Sequence, residues 1–203
     1  MAIKIPPAPL PLRGAKWRCP EPMQRNRSGW TGTSKKIGLP GASYWTLDAT
    51  FRTFIGEETI KPWRGWFMSL RGMRHAFPVR ATETRQTNVA NPTIASSGRN
   101  DGNMVPLQGL PTNSVLLLAG ELLTVALPSG HQRLGVLEHD LVSNGNGLAT
   151  ATLSVELGEI PAAGAAVEMQ WPFGLMSLTS DPPGWDVDVG QTYSFAFRAE
   201  EDR

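Results

Sequence analysis

The feature that most constrains this chain is an aromatic helical stripe that stops abruptly between segments of a different period. Ile60, Trp63, Phe67 and Leu70 recur at i, i+3, i+7 and i+10, and Trp66 widens the face, so they predict an amphipathic helix near 58–71. Glu57 and Glu58 suit its start, Pro62 fits only a first turn, and Gly72 suits the position just past the end. Gly65 inside the stripe costs about 1 kcal/mol relative to alanine, so the helix depends on its aromatic contacts. Before it, Trp45, Leu47, Ala49 and Phe51 alternate with Thr46, Asp48, Thr50 and Arg52, the period of a half-buried strand. After it, the chain turns into a short strand around Phe77-Pro78-Val79. No residue of this constellation can carry chemistry, and it reads as packing and assembly.

The chain closes on Tyr193-Ser194-Phe195-Ala196-Phe197-Arg198, which predicts one alternating strand with Tyr193, Phe195 and Phe197 on its apolar face. An aromatic strand needs an aromatic partner face, and the richest is Trp45/Phe51 with Trp63/Phe67. The expected fold is therefore mainly β. An N-terminal β domain with one short helix (16–88) is completed by the C-terminal segment (172–203), and a small β-barrel or sandwich (110–171) is inserted between them. Trp45, Phe51, Trp63, Trp66, Phe67, Leu70, Gly72, Phe77, Tyr193, Phe195 and Phe197 are its candidate core and assembly residues.

Residues 1–15, with prolines at 6, 7, 9 and 11, read as an extended arm, because proline fixes φ and removes a donor. The polar stretch from Thr82 to Gly109 carries Asn91-Pro92, Ser96-Ser97-Gly98 and Asn100-Asp101-Gly102, and its 89–109 part is expected to be a loop. Alternation resumes in Leu123/Val125/Leu127 and Leu134/Val136. Past the turn Asn144-Gly145-Asn146-Gly147 it continues in Ala151/Leu153/Val155/Leu157 and Ala165/Val167/Met169/Trp171, the spacing of several short strands.

Composition excludes several classes. A formal net charge of +1 does not suit a dedicated nucleic-acid binder, although Arg13 to Lys36 is locally basic. Only 18% of residues are charged against 40% hydrophobic, which fits a protein that covers part of its surface with partners. Cys19 is the only cysteine, so no internal disulfide or cysteine-rich metal site forms, which fits assembly in a reducing cytoplasm. The proline-rich start lacks the apolar run of a signal peptide, and no segment has the length of a membrane span.

Little in the chain can carry chemistry. His131 and His139 stand near Glu138 and Asp140 without an evident third ligand, and His75 lies in a basic turn. Asp181, Asp186 and Asp188 lack the repeated oxygen ligands of a calcium loop. Nucleophile elbows, phosphate loops and dinucleotide fingerprints are missing. No catalytic residue, metal ligand or cofactor is expected. Of the seven tryptophans, Trp30 and Trp185 lie in turn-rich surroundings and are the candidates for exposed contact, including stacking on a sugar.

A resemblance rests on several runs in order. They are the stretch Gln24 to Trp45; Trp66-Phe67-Met68-Ser69-Leu70-Arg71-Gly72 leading to Phe77; Leu118-Ala119-Gly120-Glu121-Leu122-Leu123; Arg133-Leu134-Gly135-Val136; Gly147-Leu148-Ala149-Thr150; and Tyr193-Ser194-Phe195-Ala196-Phe197. In this order they resemble a family of small tail-tip proteins of long-tailed phages and prophages, similar in layout to distal tail proteins. Where that family has a glycine-rich loop, this chain has Met73-Arg74-His75. The resemblance implies a non-enzymatic virion protein of the tail tip or baseplate, assembled in the host cytoplasm. Its N-terminal domain would form a hexameric ring between tail tube and hub, with the inserted domain facing outward. Implied partners are copies of itself, the tail tube protein, the hub and other tail-tip proteins. The alternative is a carbohydrate- or receptor-binding module of the tail tip that contacts a host surface glycan; neither reading involves nucleic-acid binding or membrane insertion.

Overall fold

The computed structural model describes residues 2–39, 41–180 and 184–203. The protein is mainly β with one α-helix. In chain order the first elements are β1 (Leu12–Arg18), β2 (Met23–Arg27), β3 (Ser34–Gly38), β4 (Thr46–Phe51), β5 (Phe54–Ile55), α1 (Glu57–Leu70) and β6 (Ala76–Arg80). There follow β7 (Thr93–Ile94), β8 (Met104–Gln108), β9 (Val115–Leu117), β10 (Leu122–Ala126), β11 (Gln132–Val136), β12 (Leu141–Val142), β13 (Ala149–Thr152) and β14 (Val167–Glu168). The chain ends with β15 (Phe173–Leu178), β16 (Asp186–Asp188), β17 (Thr192–Ser194) and β18 (Ala196–Glu201).

A five-stranded antiparallel sheet in the order β1-β4-β18-β15-β6 joins the two chain ends, with β18 beside β4 and Phe197 opposite Ala49. β4 is half-buried as its period requires: Leu47, Ala49 and Phe51 face inward while Thr50 is exposed. Against that face lies α1, whose buried stripe is Ile60, Trp63, Trp66, Phe67 and Leu70. Phe51 is the hub of the aromatic packing, with ring centroids 5.4 Å from both Trp63 and Phe67, 5.9 Å from Phe195 and 5.8 Å from Phe197. Phe77 joins through Trp66, at 5.2 Å.

A second, aliphatic core holds Ile94, Val105, Leu107, Leu117, Leu123, Val125, Leu153 and Val167, wrapped by the short sheets β11-β10-β14, β13-β8-β7 and β12-β9. The ribbon β10–β11 is a wall shared by the two cores. Leu134 belongs to the aromatic core with Leu122 and Val136 packed against it, while Leu123 and Val125 point into the aliphatic one. The turn before β13 needs its glycine: Gly147 has φ 69°, and a Cβ there would meet the Leu110 carbonyl.

Four expectations need correction. Residues 89–109 are not a loop: β7 and β8 lie there, and Ile94, Val105 and Leu107 are fully buried. Their burial comes from pairing β8 with the distant β13, Val105 opposite Ala151, and local turn signals mask it. The second unit accordingly starts before residue 110. Tyr193 does not share a strand with Phe197, because the chain changes sheets at Phe195. Tyr193 pairs with Phe54 in the small sheet β16-β17-β5 and is only half-buried. The 1–15 arm yields to β1 at Leu12, while Ile3 bridges Ala76 and the Lys4 amide donates to the Ala76 carbonyl at 2.7 Å. Finally, α1 begins at Glu57, so Pro62 falls in its second turn and the Glu58 carbonyl loses its helical donor. At the other end Arg71 is left-handed at φ 52° ahead of Gly72 at φ 67°.

Candidate assembly surface

Strands β2 and β3 form an isolated two-stranded ribbon that leaves the domain between β1 and β4. Every residue of both strands is exposed. Five cross-strand pairs, from Met23 opposite Gly38 to Arg27 opposite Ser34, carry its tip about 17 Å outward at about 3.4 Å per residue. The tip is an ordered turn: the Ser28 hydroxyl accepts from the amides of Trp30 (3.3 Å) and Thr31 (3.1 Å), and the Ser28 amide donates to the Thr33 carbonyl at 2.9 Å. This turn presents Trp30, whose side chain is 97% exposed. Met23, Ile37 and Leu39 are also exposed on the ribbon. A two-stranded ribbon with no core beneath it is marginal in water on its own, and exposed apolar side chains on it are available for contact.

The ribbon is also uniformly basic. From Pro22 to Leu39 the chain carries Arg25, Arg27, Lys35 and Lys36 and no acid. Arg25 lies directly opposite Lys36, a like-charge cross-strand pair that is unfavourable unless an anionic group neutralises it. None of the four takes part in an ion pair among the described residues.

The registers place this ribbon at one end of the five-stranded sheet and a different one at the other. Arg18 pairs with Thr46, so β2–β3 springs from the end where β1 finishes and β4 begins. Leu12 pairs with Phe51 and Ala196 with Thr50, so the opposite end leads into β5, β16 and β17. The β16–β17 ribbon carries Asp186 and Asp188, exposed and without an ion pair among the described residues, and no Lys or Arg from Gly184 to Ser194. Its Val187 and Val189 are exposed, the latter completely. Ile55 of β5, 73% exposed, adds to the apolar surface. Beside it the first turn of α1 adds Glu57 and Glu58, which pair with Arg64 and Lys61.

The predicted core residues converge. Trp45, Phe51, Trp63, Trp66, Phe67, Leu70, Phe77, Phe195 and Phe197 belong to one cluster, Gly72 is buried just past α1, and Tyr193 packs at the cluster's margin. The two candidate surface tryptophans part company. Trp30 is free, whereas Trp185 is half-buried against the aromatic core with the Arg64 guanidinium 5.2 Å from its ring centroid. The second β unit offers no large aromatic ring to a sugar over residues 78–170, which contain no Phe, Trp or Tyr. A cleft of about 570 Å³ in this unit is lined by Ser97, Asn100, Met104, Val142, Asn144 and Leu148 among others.

No three His, Cys, Asp or Glu side chains converge as metal ligands among the described residues. Of the acidic trio considered for calcium, Asp181 lies outside the described residues. The His75 Nδ1 accepts from the Ala2 amide at 3.3 Å.

One polar cluster had no signal in the sequence. The Arg133 guanidinium, on β11, is buried and pairs with Glu201 of β18 at 2.5 Å. It also donates to the carbonyls of Glu156 (3.0 Å) and Ser43 (2.8 Å). Glu201 in turn accepts from the Trp45 amide at 3.0 Å, and the Trp45 indole donates to the Leu134 carbonyl at 2.7 Å. This network locks the shared wall to the five-stranded sheet. Compared with known proteins, the chain matches no family model and no curated protein.

Proposed function

We propose that this chain is a non-enzymatic structural subunit of a phage tail tip or baseplate, a distal-tail-like ring component that joins the tail tube to the hub. The observation that carries the reading is the β2–β3 ribbon, exposed along both strands and tipped by Trp30, on a domain that is otherwise packed around one aromatic core. Such a ribbon is surface built for a neighbour. The ordered motifs that resemble those of small tail-tip proteins suggest the tail context, and in this reading the ring domain is the five-stranded sheet with α1. Partners in this reading are further copies of the chain, the tail tube protein, the hub and other tail-tip proteins.

The test is the mass of the purified protein by size-exclusion chromatography with light scattering. A ring subunit gives a discrete species at several times the 22.1 kDa of one chain, six times for a hexamer. A 22.1 kDa species at every concentration contradicts ring formation by this chain.

Trp30 favours a second reading, a module that stacks on a host-surface sugar. A glycan array separates the two: saccharide binding lost in Trp30→Ala supports recognition, and no signal leaves assembly alone.

A further inference from the structure

We propose that the ring interface is head-to-tail and electrostatic: the basic β2–β3 ribbon of one copy seats on the acidic β16–β17 ribbon of the next. The proposal rests on the ring reading and names the surfaces that close it.

Three observations carry it. First, the ribbons lie at opposite ends of the same antiparallel sheet, one beyond the Arg18/Thr46 pair and the other beyond the Leu12/Phe51 pair. A closed ring of identical subunits needs two different patches facing different ways on each copy, and opposite sheet ends supply them. Second, the charges are complementary and unspent. Arg25, Arg27, Lys35 and Lys36 at one end and Asp186 and Asp188 at the other have no ion-pair partner among the described residues. Opposite-sign residues flank each end, Glu21 before β2 at one, and Arg13, Arg52, Lys61 and Arg64 at the other, where Lys61 and Arg64 are paired with Glu58 and Glu57; none of them lies within a ribbon. Third, both ribbons expose apolar side chains among the charges, Trp30 and Met23 on one and Val187 and Val189 on the other. Docking would cover this apolar surface and relieve the Arg25/Lys36 repulsion together.

β16 is an edge strand of its sheet, and among the described residues β2 and β3 pair with no other strand, so backbone pairing between the ribbons is also available. The charges set direction. A basic ribbon is repelled by the basic ribbon of another copy, which disfavours a two-fold dimer through this element and favours continuation around a ring.

Charge reversal tests this. Arg25→Glu/Lys36→Glu reverses the donor end and Asp186→Lys/Asp188→Lys the acceptor end; all four side chains are exposed, so both variants should fold, with the circular dichroism spectrum of the wild type and a cooperative melt. Each alone should lose the high-mass species, the assembly midpoint moving by at least about tenfold in concentration. Mixed one to one, they should recover it, because reversed donors then meet reversed acceptors around a ring of even number. Raising salt to about 1 M should weaken the wild-type ring, since exposed charges are screened.

If either variant assembles as the wild type does, or the folded variants fail to rescue each other, the pairing is wrong while the ring reading stands. If donor reversal alone abolishes assembly, the ribbon serves a different acidic surface and the pairing is overturned. A wild type that never leaves 22.1 kDa removes both.

Discussion

Arg133 and Glu201 are the residues on which the joint between the two cores depends. Both are almost completely buried, and the guanidinium satisfies two carbonyls besides the carboxylate. Removing one member of such a pair leaves an uncompensated buried charge, at a cost of about 3–5 kcal/mol. At about 2–4 °C per kcal/mol for a chain of this size, Arg133→Met should lower the melting temperature by roughly 6–20 °C. Arg133→Met/Glu201→Leu, which removes both charges, should recover most of the loss. Next to Glu201, Asp202 is buried with an Oδ2 that has no partner, and burial pushes its carboxyl above the usual carboxylate range. Folding therefore disfavours its ionised form. Its stabilising contribution is complete below the unfolded value of about 3.9 and is lost as pH rises through the folded one. In the same melts, taken from pH 3 to 8, Asp202→Asn should exceed wild type at neutral pH and converge with it in acid. Equal melting temperatures at pH 7 would show that the carboxylate is relieved there.

At the scale of the elements, α1 and β18 meet in one aromatic core, with Phe67 and Phe195 ring centroids 5.2 Å apart. Phe67 is 1% exposed, so Phe67→Ala should cost about 3–5 kcal/mol and leave the protein insoluble or unassembled. Arg198, on the solvent face of β18 with Asp48 as its ion-pair partner, should be replaceable by alanine with an unchanged melt. If Phe67→Ala melts with the wild type, the core assignment fails. These elements were legible because their burial follows a local period, 3.6 along α1 and two along β4. The rest was not, for identifiable reasons. β8 is interrupted by Pro106 and held by the remote β13, so its burial is a tertiary fact. β2 and β3 bury nothing, and a ribbon without a buried face leaves no hydrophobic alternation to read. The switch of sheet at Phe195 breaks an alternation that looks continuous from Tyr193 to Phe197. Arg133 reads as an ordinary surface residue until Glu201, 68 positions away, is placed beside it.

For the whole molecule, the two cores differ in kind, and the sequence carries that difference as the run from 78 to 170 without Phe, Trp or Tyr. The aromatic unit holds both chain ends, both charged ribbons and the long sheet. The aliphatic unit is inserted between β6 and β15, and leaves from the same sheet end as the basic ribbon, since Arg80 pairs with Phe173. In a head-to-tail ring the aromatic units would form the closed belt and the inserted units would stand off it. The most direct test is to image the tail tips of purified particles from the strain that encodes this chain, with the chain identified by a tag or antibody. A tail-tip ring subunit places it as a closed, symmetric belt at the distal end of the tail. Particles that lack the chain, or that carry it elsewhere than the tail, would contradict the assignment.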